Sequence, residues 1–238
     1  MIDNGSVADD FAVLHKDITI IHNKANVGYA TAINTGLNAV ETQLTLIVNP
    51  DVSDCTDAVA GLANFLSHND DVMIAGCRVL NPDGSEQRAS RRSLPQPLKS
   101  FVSLFSLERI LPGVNQHKKE LPTSAQQVEA LSGAFFMTRT PWFKTMGGLD
   151  EEYFMHGEDL DLFARCKKNH DKVMFLPDFT VTHMKGSSSQ RNSHVVEGYK
   201  HDAMQRYYSK FLQKEMPWGL AWLIPLGIEI HRWLKRVF

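Results

Sequence analysis

The chain has 238 residues, of which 43% are hydrophobic and 22% are charged, and its net charge is −2. These values are typical of a folded globular protein, so they argue against a disordered chain, and they give no support to broad nucleic-acid binding. Three widely separated cysteines, Cys55, Cys77 and Cys166, form neither a disulfide framework nor a zinc pattern and suit a reducing compartment. The first residues have no signal-peptide pattern, so we predict a cytoplasmic protein.

Strands and helices alternate in the first third of the chain. Apolar and β-branched runs predict strands over 17–23, 44–52 and 72–80, and apolar residues at helical spacing predict helices over 28–41 and 57–69. This alternation is typical of an α/β fold with a mixed, mainly parallel sheet. Ligands of such sheets collect at the carboxyl ends of the strands, and Asp51 lies at one of these ends.

A turn at 81–85 leads into an irregular segment over 88–127. The segment contains four prolines and one predicted short helix around 98–111, and long irregular segments are often lids or binding loops. Arg91 and Arg92 in this segment are interpreted as a solvated basic pair, with contact to phosphates as the alternative. Farther along, the pattern predicts a strand and a short helix near Pro141, a helix over 160–168, and one or two strands that end at His183.

The C-terminal stretch 216–238 combines three tryptophans with leucine and isoleucine and ends in basic residues. A membrane span needs about 20 uninterrupted apolar residues, and Pro225, Glu229 and the basic end interrupt this run. We therefore predict an amphipathic helix that lies in the membrane interface, with tryptophans at headgroup depth. The alternative is a helix that docks on the domain or on a partner subunit of an oligomer.

Three groups of polar residues are candidates for chemistry. Glu158, Asp159 and Asp161 begin a predicted helix, Asp51 follows one strand, and His183 ends another. Taken alone, each has an ordinary structural explanation: a helix N-terminus, a turn and a core or surface histidine. If the sheet brings them together, carboxylate oxygens and an imidazole suit Mg²⁺ or Mn²⁺, which bridges phosphate oxygens and neutralises the charge of a leaving group.

Seven segments, in order, resemble the family 2 inverting glycosyltransferases, and most of all the rhamnosyltransferase-type members of bacterial polysaccharide assembly. They lie at 3–6, 23–37, 49–52, 81–85, 132–139, 147–165 and 183–189. The resemblance implies a GT-A fold, which is Rossmann-like, over residues 1–190. Its nucleotide-binding part would span about 1–85 and its acceptor part about 86–190, and a C-terminal helical extension over 191–238 would follow.

The resemblance also implies roles for residues on the donor side. Asp3 matches the acidic residue that relatives place against the nucleobase and ribose. Asn26 and Gly28 match the loop over the nucleotide, with Asn34 in the helix behind it. Asn49-Pro50-Asp51 stands where relatives carry an Asp-X-Asp motif, so Asp51 would be the metal-binding carboxylate, and Asn49 replaces the first Asp.

On the acceptor side, Asp159 matches the catalytic base, with Glu158 beside it, and His183 matches a further metal ligand of some relatives. A base opposite the leaving group is what inversion at an anomeric carbon requires, and neighbouring carboxylates would raise its pKa. Gly133 would allow backbone to approach the sugar closely. Lys185 and Arg191 are the candidates for contact with the pyrophosphate.

These roles imply a metal-dependent transferase with a nucleoside-diphosphate donor, a dTDP- or UDP-sugar such as dTDP-rhamnose. The acceptor would be a lipid-linked or polysaccharide molecule at the inner face of the cytoplasmic membrane. Relatives begin with a strand and a helix before the segment that contains Asp3, so we expect the first strand of the sheet to be missing. Two alternatives are a catalytically inactive relative that acts as a binding or assembly partner and, less favoured, a nucleotidyltransferase.

Overall fold

The structure is a computed structural model that describes residues 1–6, 17–96, 115, 120–184, 193–216 and 218–237. Ten strands are present in these ranges: β1 Ile2–Asn4, β2 Ile21–Asn23, β3 Leu44–Val48, β4 Val52–Ser53, β5 Val72–Leu80, β6 Arg91–Arg92, β7 Gln126–Gln127, β8 Ala130–Leu131, β9 Phe135–Arg139 and β10 Lys172–His183. The α-helices there are α1 Tyr29–Ala39, α2 Thr56–Ser67, α3 Thr140–Thr145, α4 Glu158–Lys168, α5 Ser193–Tyr207 and α6 Trp218–Val237. A π-helical turn Tyr208–Leu212 and a 3₁₀ turn Gln213–Glu215 connect the last two.

The main sheet is mixed and has the strand order β3-β9-β5-β10-β4, with β7 paired to β10. Strands β3, β5 and β10 point in the same direction, and the β5–β10 pairing is parallel and the longest of the sheet. The other pairings are antiparallel, because β9 runs the opposite way between β3 and β5, and β4 and β7 run opposite to β10. The α/β class is confirmed, and the share of antiparallel pairs is higher than the sequence predicted.

Most predicted elements lie where the sequence places them. The helices after Gly28 and Cys55, the strand at 72–80 and the helix that begins with Pro141 in its first turn are all present. The first predicted strand is shorter, and the last is one strand that ends at His183. The predicted helix around 98–111, Lys185 and Arg191 lie outside the described residues.

Both faces of the main sheet are covered by helices, which explains the continuous apolar runs of its strands. On one face, Leu62 and Leu66 of α2 pack with Phe135 and Val181. On the other face, α1 and α4 pack on the sheet, where the rings of Phe136 and Phe163 meet edge to face at 6.0 Å. Helices α1 and α4 carry Asn34, Glu158 and Asp159, so this second face positions one side of the site.

The C-terminal helices are attached to the domain through α5 and the π-helical turn. Tyr207, Tyr208 and Leu212 are buried in the same core as α4. The Tyr208 hydroxyl donates to the carbonyl of Ala221 in α6 at 3.0 Å, so α6 folds back on the preceding helix. Of the helices in the described ranges, none is long and apolar enough to cross a bilayer.

Candidate active site

The turn between β3 and β4 brings Asp51 against the end of β10. The backbone N–H of Asn49 donates to Ala134, and the N–H of Met184 donates to the carbonyl of Asp51, both at 2.9 Å. As a result, Asp51 Oδ1 lies 3.1 Å from Nε2 of His183. Two strand ends that the sequence singled out separately therefore meet at one edge of the sheet.

His183 is buried, and its ring is held by Gln87. The side-chain N–H of Gln87 donates to the carbonyl of His183 at 2.8 Å, so the amide oxygen of Gln87 faces Nδ1 at 3.1 Å. An amide oxygen only accepts hydrogen bonds, which assigns the proton to Nδ1 in the neutral ring. Nε2 then presents a lone pair to the Asp51 carboxylate. Two acceptors this close repel each other unless a proton or a cation lies between them.

This donor set fits a divalent cation. A carboxylate oxygen and an imidazole nitrogen are ligands of Mn²⁺ and, less often, Mg²⁺, and a ligating histidine normally donates its other N–H to an oxygen, as His183 does to Gln87. Within the described ranges, no group of three or more His, Cys, Asp or Glu side chains is placed to hold a metal. Asp51 and His183 could therefore bind an ion only with further oxygen atoms from solvent or from a ligand.

Asp159 lies in the first turn of α4, after Gly157 with a φ of 87°. Its Oδ1 accepts the backbone N–H of Leu160 at 2.7 Å, and its Oδ2 is paired with the guanidinium of Arg92. A Cβ atom on Gly133 would lie only 2.9 Å from Oδ2. Glycine at this position lets the backbone before β9 approach the carboxylate closely.

Glu158 precedes Asp159 and is buried. In the part of the chain that the structure describes, Oε2 of Glu158 has no hydrogen-bond partner. Burial, followed by the charge of Asp159, raises the pKa of Glu158 to about 8. Glu158 is thus mainly protonated at neutral pH.

Tyr29, which sequence analysis did not single out, connects the two sides of the site. Its hydroxyl lies 3.0 Å from Oδ1 of Asn49 and 3.3 Å from the carbonyl of Gly133. The pKa of Tyr29 is raised by burial and then by the charges of Glu158, Asp159 and Asp51. Both Asp51 and Asp159 are therefore near one partly buried hydroxyl. The available signal was its position directly after Gly28, at the start of a predicted helix.

Asp161 does not belong to this cluster. It is fully buried and pairs with Nε of Arg165 at 2.7 Å and with Nζ of Lys210 at 2.6 Å. The sequence grouped Asp161 with Glu158 and Asp159, but a residue two positions along a helix projects to a different side. The acidic group is therefore divided between the candidate site and a structural ion network.

The donor-side residues lie on segments of the chain that are joined by side-chain hydrogen bonds. Asp3 is buried, and hydrogen bonds from His22 and then Ser6 lower its pKa to about 2. Asn4, between Asp3 and the turn, donates to Oδ1 of Asn26 at 3.0 Å. Asp3 and Asn26 therefore belong to one structural unit.

Gly28 and Asn34 tie this donor-side unit to the loops that precede α4. Gly28 has a φ of 89°, and a Cβ atom there would lie 2.8 Å from the carbonyl of Phe154. Asn34 donates to the carbonyl of Leu149 at 2.8 Å and accepts its N–H at 2.9 Å. The role of Asn34 in the structure is thus to hold α1 against the acceptor-side loop.

The arginine pair is not solvated, contrary to the sequence interpretation. The side chain of Arg91 is 4% exposed and pairs with Glu86, and that of Arg92 is 12% exposed and pairs with Asp159. Strand β6 pairs with β8, which places both arginines inside the domain rather than on an open loop. Arg92 and its partner Asp159 are 67 residues apart, which explains why local composition did not reveal this pair.

Comparisons with known proteins identify relatives of the chain. The model of the family "Glycosyl transferase family 2" matches residues 1–147. The chain is 28% identical over 202 residues to the N-acetylglucosaminyl-diphospho-decaprenol L-rhamnosyltransferase of Mycobacterium tuberculosis, a match that covers 78% of this chain and 66% of that protein. It is 27% identical over 140 residues to rhamnosyltransferase WbbL of Escherichia coli, covering 58% of this chain and 51% of that protein.

Solved structures are similar at the level of the fold. TarS 1-349 of S. aureus in complex with UDP gives a TM-score of 0.53 at 13% identity, covering 87% of this chain and 55% of that one. Mannosyltransferase PcManGT of Pyrobaculum calidifontis, in complex with GDP-Man and Mn²⁺, gives a TM-score of 0.50 at 14% identity. This match covers 89% of this chain and 51% of that one. The chain spans between half and two thirds of the curated relatives named above. Because the family model matches more than half of its residues, the chain belongs to glycosyl transferase family 2, with a GT-A-like fold.

Proposed function

We propose that this chain is an inverting, metal-dependent glycosyltransferase that acts in the biosynthesis of cell-surface polysaccharide. The observation that carries the proposal is the convergence at Tyr29. Its hydroxyl contacts Asn49 Oδ1 and the Gly133 carbonyl, and it lies in the electrostatic field of both Asp51 and Asp159. The Asp51 end of this cluster suits the binding of a diphosphate with its cation, and Asp159 at the other end suits the role of proton acceptor.

Asp159 is proposed as the base. The acceptor hydroxyl oxygen attacks the anomeric carbon, the bond from that carbon to the diphosphate oxygen breaks, and the bonding electrons leave with the diphosphate. The hydroxyl proton passes to Asp159 on the face opposite the leaving group, which inverts the anomeric configuration. Glu158, mainly protonated at neutral pH, adds no second full negative charge beside this carboxylate.

Asp51 and His183 are proposed to hold Mg²⁺ or Mn²⁺. Such an ion, when bound, neutralises the charge that develops on the departing diphosphate. Asn49 stands where a second carboxylate would add to the binding charge, so we expect the affinity for the metal to depend strongly on Asp51. Lys185 and Arg191 stay predictions for contact with the pyrophosphate.

The donor side is proposed to bind a nucleoside diphosphate. The low pKa of Asp3 keeps its carboxylate charged, so it can accept hydrogen bonds from a base or ribose. Asn26 and Gly28 would lie over the nucleotide. Two relatives are named as rhamnosyltransferases, and the name of one contains a diphospho-decaprenol acceptor. These names support rhamnose as the sugar and a lipid-linked acceptor, and dTDP is the first carrier to test.

The exposed face of α6 is proposed to contact the cytoplasmic membrane. Its large apolar side chains Trp218, Trp222, Leu226, Ile230 and Trp233 are 49–84% exposed and recur at helical spacing. Ala221 and Ile228, on the opposite face, are buried. Helix α6 has three Lys or Arg residues and one acidic residue, whereas the whole chain has a net charge of −2. Tryptophan with basic residues suits the interface of anionic lipid.

A vesicle assay tests this membrane contact. We expect the protein to sediment with vesicles that contain phosphatidylglycerol, and the double substitution Trp222→Ser and Trp233→Ser to reduce the bound fraction. Met204→Ser on α5, which removes an apolar side chain that is 40% exposed, is the matched control. If the double variant binds vesicles unchanged but changes the oligomeric state, this face joins copies of the chain and the membrane proposal is wrong.

The enzymatic proposal is tested with nucleotides and then with product. Thermal-shift measurements with dTDP, UDP and GDP, each with and without Mn²⁺, identify the donor class, because a ligand that binds only the folded state raises the melting temperature. Transfer from the matching nucleotide sugar to a polyprenyl-diphosphate sugar should then give a product whose anomeric configuration, measured by NMR, is opposite to that of the donor. A retained configuration, or no nucleotide binding, would contradict the proposal.

A further inference from the structure

Arg92 occupies a position that only the folded chain reveals. It lies in β6, which pairs with β8, and β8 leads directly to Gly133. Nη2 of Arg92 donates to the carbonyl of Leu131 at 2.7 Å and also to Oδ2 of Asp159. The carbonyl belongs to the backbone of β8, so these two hydrogen bonds fix the guanidinium between β8 and Asp159.

Arg92 and the backbone N–H of Leu160 together hold the Asp159 carboxylate in place. Oδ2 is held by Arg92, and Oδ1 is held by the N–H of Leu160 at 2.7 Å. Each carboxylate oxygen has two lone pairs, so one on each oxygen stays available for a proton. The plane and direction of the carboxylate are thus defined without blocking its basic function, and its side chain is 15% exposed.

Stability alone does not explain a guanidinium at this position. The neighbouring Arg91 is a useful contrast, because its Nε and Nη2 contact Glu86 and its Nη1 donates to the carbonyl of Glu120. In Arg92, by comparison, Nε is buried and has no hydrogen-bond partner among the described residues. A buried unpaired donor and a desolvated ion pair are both costly, and apolar side chains in place of both partners would avoid these costs.

We propose that Arg92 is a positioning residue for Asp159, which aims the carboxylate at the acceptor hydroxyl and acts through it rather than on the donor. This inference rests on the proposed function, in which Asp159 is the base. It adds β6, a strand within the segment that the sequence predicted to be irregular, to the acceptor side of the reaction.

The test separates chemistry from binding. In Arg92→Met, we expect kcat for transfer to fall about 100-fold, as for a misplaced catalytic group, while the Kd for the nucleoside diphosphate with Mn²⁺ stays within about twofold. Arg92→Lys should recover part of kcat, since it keeps the charge but replaces the planar guanidinium with a shorter and more flexible side chain. Arg91→Lys, the same substitution on the same strand, should leave kcat unchanged.

A double variant tests whether Arg92 acts through Asp159. The variant with both Arg92→Met and Asp159→Asn should be no slower than Asp159→Asn alone, because residues that act as a unit are non-additive. If Arg92→Met does not fold, Arg92→Lys carries the same comparison. Unchanged kcat, a loss of nucleotide affinity of about tenfold or more, or additive effects would overturn the inference. Absence of transfer by the wild-type chain would instead contradict the proposed function.

Discussion

Asp159 and Asp161 are two residues apart in helix α4, yet their surroundings differ in kind. Asp161 is fully buried, and both of its oxygens are paired with cations, Arg165 and Lys210. Asp159 has one cation and some exposure, and it stands beside Glu158, whose buried oxygen lacks a partner among the described residues. The comparison teaches that saturation of partners distinguishes a structural carboxylate from one that is free to react.

The network around Asp161 has a clear structural purpose. Asp150 accepts from Nη2 of Arg206 at 2.8 Å and from Nζ of Lys210 at 2.6 Å, and Lys210 also reaches Asp161. These pairs connect the loop before α4, α4 itself and the C-terminal helices. The Asp159 carboxylate, in contrast, keeps a lone pair on each oxygen that can accept a proton. The two regions should therefore respond differently to substitution.

The largest effect should come from Asp159→Asn. We expect kcat for transfer to fall about 10³-fold, the range of general base catalysis. The melting temperature should fall less than in Asp161→Asn, because Asp159 has one cation instead of two, is partly exposed, and the asparagine oxygen can still accept from Arg92. Kinetics together with a thermal melt measure both quantities. A variant that transfers at the wild-type rate would remove Asp159 from the mechanism.

Asp161→Asn should have the opposite effect, a large loss of stability with little change in kcat. The substitution leaves Lys210 and Arg165 facing a neutral group in a buried network, so we expect a loss of about 3 kcal/mol in the free energy of unfolding. Urea unfolding measures this loss, and the kcat of the remaining folded protein should be close to that of the wild type. If Asp161→Asn instead removed activity without loss of stability, the division of the acidic group would be wrong.

A smaller effect concerns pH. Glu158 has its pKa raised from the ordinary 4.5 to about 8 in the folded state, so the folded chain holds a proton that the unfolded chain releases. This contribution to stability is complete below the unfolded pKa and is lost as the pH rises through the folded pKa, that is, between 4.5 and about 8. Glu158→Gln keeps the shape of the side chain and removes the carboxyl group that titrates. Unfolding midpoints at both ends of this window should differ less in the variant than in the wild type. Equal pH dependence would contradict the assignment.

The parts of the fold that follow from local pattern were predictable. Apolar periodicity located α1, α2 and β5, and the ends of strands located Asp51 and His183. The antiparallel direction of β9 was not predictable, because an apolar run does not indicate which way a strand enters a sheet.

The parts of the site that depend on long-range contact were also not predictable. Arg92 and Asp159 are 67 residues apart, and Gln87 and His183 are 96 residues apart. No local periodicity encodes such pairs, so a buried arginine in a proline-containing segment resembled a solvated one. The resemblance to a family supplied the positions of Asp3, Asn26 and Asp159, but it did not supply Tyr29, Gln87 or Arg92.

The central claim is that Asp51 and Asp159 serve one site with separate tasks, one toward the donor with its cation and one toward the proton. Calorimetric titration of the nucleoside diphosphate, with Mn²⁺ and then with EDTA, tests it on the wild type, Asp51→Ala and Asp159→Asn. We predict binding that requires Mn²⁺, that weakens at least about tenfold in Asp51→Ala and that is unchanged in Asp159→Asn. Binding that persists in EDTA and is indifferent to Asp51, or that is lost equally in both variants, would contradict it.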